Sequence, residues 1–151
     1  MPEHTLVHAT SVALKLASGW RAVLMRGPSG SGKSDLALRL IDGGGARLVA
    51  DDQTRLMRRR GALLASAPAA LAGLLEVRGI GIVRLARSQR MARAPLGLLV
   101  DLVPPARIER LPDGSSHERL LGIDVPRLEL APFEASAVAK LRLALARIAA
   151  G

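Results

Sequence analysis

The sequence predicts an α/β fold with a mixed, strand-rich sheet and few helices, one of them at the C-terminus. Three observations support this fold class. Apolar runs of strand length outnumber helical segments, a glycine-rich turn joins one such run to a helical one, and the chain ends with helical periodicity. Because strand and helix do not alternate throughout, a doubly wound sheet is not expected.

The whole chain, 151 residues of which 49% are hydrophobic, is expected to form one domain, residues 1–151. No apolar run approaches the roughly 20 residues that cross a bilayer, and no secretory signal is visible. No membrane partner is therefore expected, and the predicted location is cytoplasmic. The chain has no cysteine, which excludes disulfides, thiol catalysis and a cysteine-ligated zinc site.

The net charge of +9 is compatible with nucleic acid, an anionic membrane or an acidic protein as partner. Nucleic-acid binding commonly uses aromatic stacking platforms, and Trp20 and Phe133 are the only aromatic residues of this chain. No nucleic-acid partner is expected.

The first predicted elements are a β-hairpin and a helix. Residues 7–16 alternate apolar and polar positions, residues 18–19 supply a turn, and residues 21–26 are apolar again. The first helix is predicted for residues 33–42, where three consecutive glycines stop it.

The rest of the chain is predicted to be mostly strand and to close with a helix over residues 135–150, with Pro132 in its first turn. Residues 75–83 form an apolar stretch with two glycines, which indicates either a loop near a ligand or, slightly favoured, a bulged strand with an exposed Glu–Arg pair. The other predicted elements are strands at 47–50, 54–57, 62–65 and 95–103, edge elements at 107–111 and 119–130, and turns at 58–61 and 112–114.

Between the hairpin and the first helix lies a motif that predicts phosphate binding. It matches G-x-x-x-x-G-K-[ST], in which backbone N–H groups cradle phosphate oxygens at the start of a helix. In this pattern Lys33 reaches the β and γ phosphates, and the Ser34 hydroxyl is placed to ligate Mg²⁺. A nucleoside triphosphate with Mg²⁺ is the predicted ligand. The loop consists of Gly27, Pro28, Ser29, Gly30, Ser31, Gly32, Lys33 and Ser34.

Phosphoryl transfer also needs carboxylates, and three aspartates follow predicted buried strands. Asp51 and Asp52 end the strand at 47–50, which is expected to lie beside the strand that precedes the loop. Because strand side chains alternate, one of the two should face the site and the other the opposite side. For both aspartates, a place in a solvated turn after the strand is as well supported as a catalytic role. Asp101, which also follows a hydrophobic strand, is an alternative candidate for the acid that positions Mg²⁺.

Taken together, these segments resemble the catalytic domain of HPr kinase/phosphorylase, a family of bacterial enzymes that phosphorylate a seryl residue of the phosphocarrier protein HPr. The family's pieces occur in order: His8 before the loop, the loop followed by Asp35, residues 47–52, and the signature at residues 75–82. The resemblance implies a P-loop kinase domain of the HPr kinase/PEP carboxykinase type. It also implies ATP and Mg²⁺ as cofactors, an HPr-like protein as partner, and a homo-oligomer, which is a hexamer in this family.

The resemblance further implies a role for each matching residue. Asp52 is the general base on the acceptor hydroxyl, because a serine is a poor nucleophile without a carboxylate in reach. By the same resemblance, Lys33 neutralises the transferring phosphoryl group, and Ser34 and Glu76 ligate Mg²⁺. His8 lies beside the loop, and Arg119 corresponds to the family's late catalytic arginine.

The chain departs from the family's longer members in two respects. It begins almost at the catalytic domain and is expected to be a short form without the N-terminal domain. The late Pro-Gly-Arg-Asn loop, tied to dephosphorylation in the family, is replaced by residues 130–136, so the phosphorylase direction stays open. A nucleotide-sensing module without phosphoryl transfer, or a small-molecule kinase, is the alternative to a protein serine kinase.

Overall fold

The computed structural model describes residues 3–112 and 116–150, and that part of the chain contains eleven strands and two α-helices. The strands are β1 (His4–Val7), β2 (Thr10–Leu16), β3 (Gly19–Arg26), β4 (Ala46–Ala50), β5 (Thr54–Arg59), β6 (Ala62–Ser66), β7 (Leu74–Val77), β8 (Gly81–Arg84), β9 (Arg93–Leu102), β10 (His117–Leu120) and β11 (Ile123–Leu130). The α-helices are α1 (Lys33–Asp42) and α2 (Ala137–Ala150), and short 3₁₀ helices occur at Ala69–Leu71, Arg87–Gln89 and Pro105–Arg107.

Nine of these strands form one mixed sheet, while β7 and β8 form a separate hairpin. The main order is β1-β5-β6-β9-β3-β2-β4. Beside this path, β11 pairs with β9 and with β10. The pairings of β9 with β3 and with β11 are parallel, and the other pairings within this sheet are antiparallel. The predicted fold class, a mixed and strand-rich α/β sheet with a C-terminal helix, is confirmed.

Strand alternation divides the core between the two faces of the sheet. Along β3, Val23 and Met25 belong to the cluster that includes α1 and α2, whereas Ala22 and Leu24 belong to the cluster on the other face. Both helices therefore cover one face, and the loop between β3 and α1 lies at the edge of that layer. In the described part of the chain, neither helix is long and apolar enough to cross a membrane.

The N-terminal hairpin was predicted correctly, but its first strand is divided. Leu16 pairs with Gly19 across the turn between β2 and β3, as the alternation indicated. The predicted strand at 7–16 breaks after Val7, because β1 pairs with β5 while β2 pairs with β3 and β4. The break leaves His8 and Ala9 between two strands that have different partners.

Two of the later predictions need correction. Residues 107–111 are not a strand, because Arg107 ends the 3₁₀ turn at Pro105–Arg107 and residues 108–111 follow it outside any strand. Residues 119–130 are not a single edge element, since they belong to the β10–β11 hairpin and β11 is internal, paired with both β9 and β10. Two of the three residues of the predicted turn at 112–114 lie outside the described residues.

Candidate active site

The glycine-rich loop connects the end of β3 to the first turn of α1. Gly30 and Gly32 have φ values of 81° and 100°, in the left-handed region that favours glycine. A Cβ atom added to Gly32 would lie 2.9 Å from Cζ of Phe133. Glycine at position 32 is therefore required both by the backbone conformation and by the packing of Phe133 on the loop.

A cavity of about 320 Å³ lies at the start of α1. Its walls come from the loop, the first helix, the turn after β4 and the β7–β8 hairpin. The structure thus brings most of the loop together with Asp52 and Glu76, which are distant in sequence. The lining residues are Ser29, Gly30, Gly32, Lys33, Ser34, Asp35, Leu38, Asp52, Glu76, Val77, Arg78 and Phe133.

Asp51 is the buried acid that ties these walls together. Its Oδ1 accepts hydrogen bonds from Thr10 Oγ1 at 2.9 Å and from Ser34 Oγ at 2.7 Å. Its Oδ2 accepts one from the backbone N–H of Glu76 at 2.9 Å. The expectation that β4 lies directly beside β3 is wrong, because β2 separates them. Asp51 nevertheless reaches α1, since it lies beyond the end of its strand.

Asp52 lines the cavity from a left-handed backbone conformation, with φ of 66°. Aspartate adopts this conformation more readily than most residues, because its short polar side chain bonds locally. Its backbone N–H donates to Thr10 Oγ1 at 3.1 Å, and its Oδ1 lies 3.1 Å from Nε2 of His8. Both aspartates therefore serve one site. The predicted alternation of faces does not apply, since both residues lie beyond β4.

Lys33 is a buried cation at the loop, with only 7% of the residue exposed. Its Nζ donates to the carbonyl oxygens of Gly27 at 2.6 Å and Pro28 at 3.2 Å. An ammonium group has three donors, so these bonds leave one for a ligand in the cavity.

Glu76 and Arg78 border the cavity from the β7–β8 hairpin, and both are exposed. Gly79, with φ of 88°, lies in the turn between the two strands, and Gly81, with φ of 119°, begins β8 and pairs with Val77. The prediction of a single bulged strand at 75–83 is wrong, because the segment folds into two paired strands, although its Glu–Arg pair is exposed as expected. That the segment lies near a ligand stays a prediction, and its side chains border the cavity. The sequence analysis gave Arg78 no role at the site. Its position within the family signature at 75–82 is the feature that could have indicated one.

Behind the loop, four charged side chains connect β3, β9, β10 and β11. Arg26 donates to Asp101 Oδ1 and Oδ2 at 2.8 and 3.0 Å. It also donates to Glu118 Oε2 and Oε1 at 2.6 and 2.8 Å. Arg127 adds a bond of 2.6 Å to Asp101 Oδ2. The hydrogen bonds to Glu118 and then to Asp101 raise the pKa of Arg26 above its ordinary value.

The same network lowers the pKa of both acids. Burial alone raises the pKa of Asp101, but the hydrogen bonds and charges of Arg26 and Arg127 together outweigh it. For Glu118 the hydrogen bonds from Arg26 lower the pKa against a smaller effect of burial. Asp101 is thus engaged by two arginines and is not among the residues that line the cavity, so the structure does not bring it to the site as a Mg²⁺-positioning acid.

Arg119 is also not brought to this cavity. Its neighbour Glu118 faces Arg26, and alternation along β10 directs Arg119 to the opposite face. There its side chain is 68% exposed and donates to Asp124 Oδ1 at 3.1 Å. His8 does not line the cavity either, but it contacts Asp52, which does.

The oxygen ligands at the cavity suit a hard divalent cation that is shared with phosphate. The Ser34 hydroxyl donates a hydrogen bond to Asp51. The lone pairs of Ser34 Oγ are therefore left for another partner. Glu76 offers a carboxylate on the same cavity. Within the described residues, no group of three or more His, Cys, Asp or Glu side chains is arranged to hold a metal ion. Mg²⁺ commonly binds through one or two protein ligands together with substrate phosphates and water, so the residues fit this ion.

Known proteins with similar sequence and fold point to one family. Residues 3–147 match the family described as HPr Serine kinase C-terminal domain. The chain is 33% identical over 116 residues to an HPr kinase/phosphorylase of Lactiplantibacillus plantarum, and 34% identical over 116 residues to one of Limosilactobacillus reuteri. Each alignment covers 72% of this chain, and the chain spans only 36% of the length of these relatives.

A solved structure has the same fold along most of its length. It is the Hpr(Ser) kinase/phosphatase from Coxiella burnetii, which matches with a TM-score of 0.76 and 27% sequence identity over 95% of this chain and 88% of that chain. Since the family match extends over nearly all of the described residues and the fold agrees, the chain belongs to the HPr Serine kinase C-terminal domain family.

Proposed function

We propose that this chain is an ATP- and Mg²⁺-dependent serine kinase that phosphorylates an HPr-like phosphocarrier protein. The observation that carries the proposal is the convergence of the glycine-rich loop, Asp52 and Glu76 on one cavity. The names of the relatives, HPr kinase/phosphorylase, support the choice of acceptor. A homo-oligomer and a cytoplasmic location are proposed on the family resemblance alone.

The loop and the start of α1 bind the nucleotide phosphates in this proposal. Backbone N–H groups and the helix dipole favour anions here, and Lys33 supplies a positive charge at the loop carbonyls. Ser34 and Glu76 hold Mg²⁺, which when bound neutralises charge on the phosphate oxygens. Asp51 orients Ser34 by accepting the hydrogen bond of its hydroxyl, so the oxygen lone pairs stay available to the ion.

Asp52 acts on the acceptor serine. His8 lies against Oδ1, and the other carboxylate oxygen is left for the incoming hydroxyl, from which it takes the proton during transfer. Arg78, rather than Arg119, is the proposed second cation for the phosphoryl oxygens, because it lines the cavity. The role that the resemblance gives Arg119 is untested and stays a prediction, although that side chain pairs with Asp124 and does not line the cavity.

The test separates transfer from binding. Asn, like Asp, tolerates the left-handed conformation at position 52 and can accept a hydrogen bond from His8, but it cannot take a proton. Asp52→Asn is therefore expected to reduce phosphoryl transfer to an HPr-like protein by about 10²-fold or more, with MgATP affinity within about 2-fold of wild type.

The matched control is Asp35→Asn, because Asp35 also lines the cavity but pairs with Arg39 on the surface of α1. This variant should retain most of the transfer activity. Equal activity of the two variants, or loss of MgATP binding in Asp52→Asn, would remove Asp52 from the proposed role.

A further inference from the structure

A second and larger cavity adjoins the loop on its other side. Its volume is about 650 Å³, within the range of roughly 300 to 1,000 Å³ that is typical of small-molecule sites. Two loop residues, Pro28 and Ser31, form part of its wall, whereas their neighbours line the smaller cavity. The other lining residues are Leu102, Val103, Pro104, Pro105, Arg107, Ala131, Pro132, Phe133 and Glu134.

Phe133 borders both cavities. The tip of its ring packs against Gly32, as the 2.9 Å separation between Cζ and an added Cβ indicates. The side chain is nevertheless 70% exposed. An aromatic ring anchored at its edge and open on its surface can stack with a flat ligand.

The charged groups of the larger cavity are already paired with residues outside it. Arg107 donates to Glu129 at 3.2 Å, and Glu134 accepts from Lys140 at 2.9 Å. The remaining walls are apolar side chains apart from Ser31, whose Oγ is buried over Gly27 without a hydrogen-bond partner among the described residues. Because the walls are apolar and the two charged side chains are already paired, the cavity suits a neutral flat ring rather than an anion.

We propose that this apolar cavity takes the nucleobase of the nucleotide whose phosphates bind the loop, with Phe133 stacking on the base. The inference rests on the proposed function in one respect, which is that a nucleoside triphosphate binds at the loop. Because the two cavities share the loop and Phe133, one ligand with an anionic end and a flat apolar end spans both. Stacking and apolar contact dominate over hydrogen bonding in these walls, so purine nucleotides bind more tightly than pyrimidine nucleotides, and ATP and GTP bind similarly.

The test compares two probes on the full chain by calorimetry, MgATP and inorganic tripolyphosphate with Mg²⁺. Phe133→Ala is expected to weaken MgATP binding about 10-fold, the scale of one base–aromatic stack, and to change tripolyphosphate binding by less than about 2-fold. Phe133→Trp should restore MgATP affinity, since any aromatic face stacks. Leu143→Ala is the matched control, because Leu143 is also a large exposed hydrophobic residue but lies on α2 outside both cavities.

Each other result contradicts the inference in a different way. Unchanged MgATP affinity in Phe133→Ala shows that the base lies elsewhere. Equal weakening of both probes shows that Phe133 acts only by shaping the loop through Gly32. Failure of the wild-type chain to bind either probe overturns the proposed nucleotide function together with this inference, whereas binding of tripolyphosphate as tightly as MgATP overturns the inference alone.

Discussion

Replacing Asp51 by Asn tests whether this residue organises the site. The wild-type carboxylate accepts three hydrogen bonds, two hydroxyl bonds at Oδ1 and the Glu76 N–H at Oδ2. In Asp51→Asn the amide oxygen can still accept from Thr10 and Ser34. The amide NH₂ then faces the N–H of Glu76, so two donors oppose each other and the bond to the β7–β8 hairpin is lost.

The magnitude follows from that single lost bond. The lost bond is part-buried. An unsatisfied donor costs about 1–3 kcal/mol, and partial exposure lowers this cost, whereas the charge of the lost acceptor raises it. We therefore expect Asp51→Asn to lower the free energy of unfolding by about 2 kcal/mol, or Tm by about 4–8 °C for a chain of this size. Asp51→Ala removes all three acceptor interactions and should cost about 3–5 kcal/mol.

Urea unfolding followed by circular dichroism measures these differences at pH 7. Asp35→Asn provides the comparison, because it removes an exposed i,i+4 pair with Arg39 that is worth about 0.5 kcal/mol or less. If Asp51→Asn were as stable as Asp35→Asn, Asp51 would not be the buried acceptor that connects α1, β2 and the hairpin, and the reasoning would be refuted.

Two other predictions concern the loop and the charged network behind it. Gly32→Ala should lower the free energy of unfolding by about 1–3 kcal/mol, because φ is 100° and the new Cβ meets the Phe133 ring. In a Phe133→Ala background the loss should shrink to its backbone part; a double-mutant cycle with additive costs would contradict the contact. The pKa values of Asp101 and Glu118 are lowered from their ordinary 3.8 and 4.5, so both acids stabilise the fold fully above about pH 5 and lose this contribution as pH falls through the folded-state pKa values. In urea unfolding, Glu118→Gln should therefore be less stable than wild type at pH 7, and the difference in stability should become smaller at pH 3. A difference that does not change with pH would show that protonation of Glu118 is not linked to folding.

Local patterns predicted the parts of the fold that local interactions determine. The loop between β3 and α1 follows from its glycines and from the helical periodicity after it, and the β2–β3 hairpin follows from alternation around Gly19. The C-terminal helix was predicted too early, with Pro132 in its first turn and helix from 135, whereas α2 begins at Ala137. Helix ends are set by local capping that periodicity does not show.

Features that depend on distant partners could not be predicted in this way. The division of residues 7–16 into two strands depends on β5, which begins more than forty residues later. From the sequence, Asp101 is an alternative to Asp51 and Asp52 because the Arg26 network is not visible there, and the role of Arg119 comes from the family resemblance, which does not show its pairing with Asp124. The hydrogen bonds of Asp51 likewise depend on a distant partner, because Thr10 lies in the alternating segment at 7–16 and only the structure shows that it is fully buried and donates to Asp51.

The most direct test of the proposed function is the transfer of labelled γ-phosphate from MgATP to the source organism's own HPr-like protein. Acceptor variants with each candidate serine replaced by alanine should be labelled in parallel. We predict that wild-type acceptor is labelled and that one serine-to-alanine variant is not. Absence of label on every acceptor, with MgATP binding demonstrated in the same preparation, or label that persists in all serine variants, would contradict a serine kinase acting on this protein.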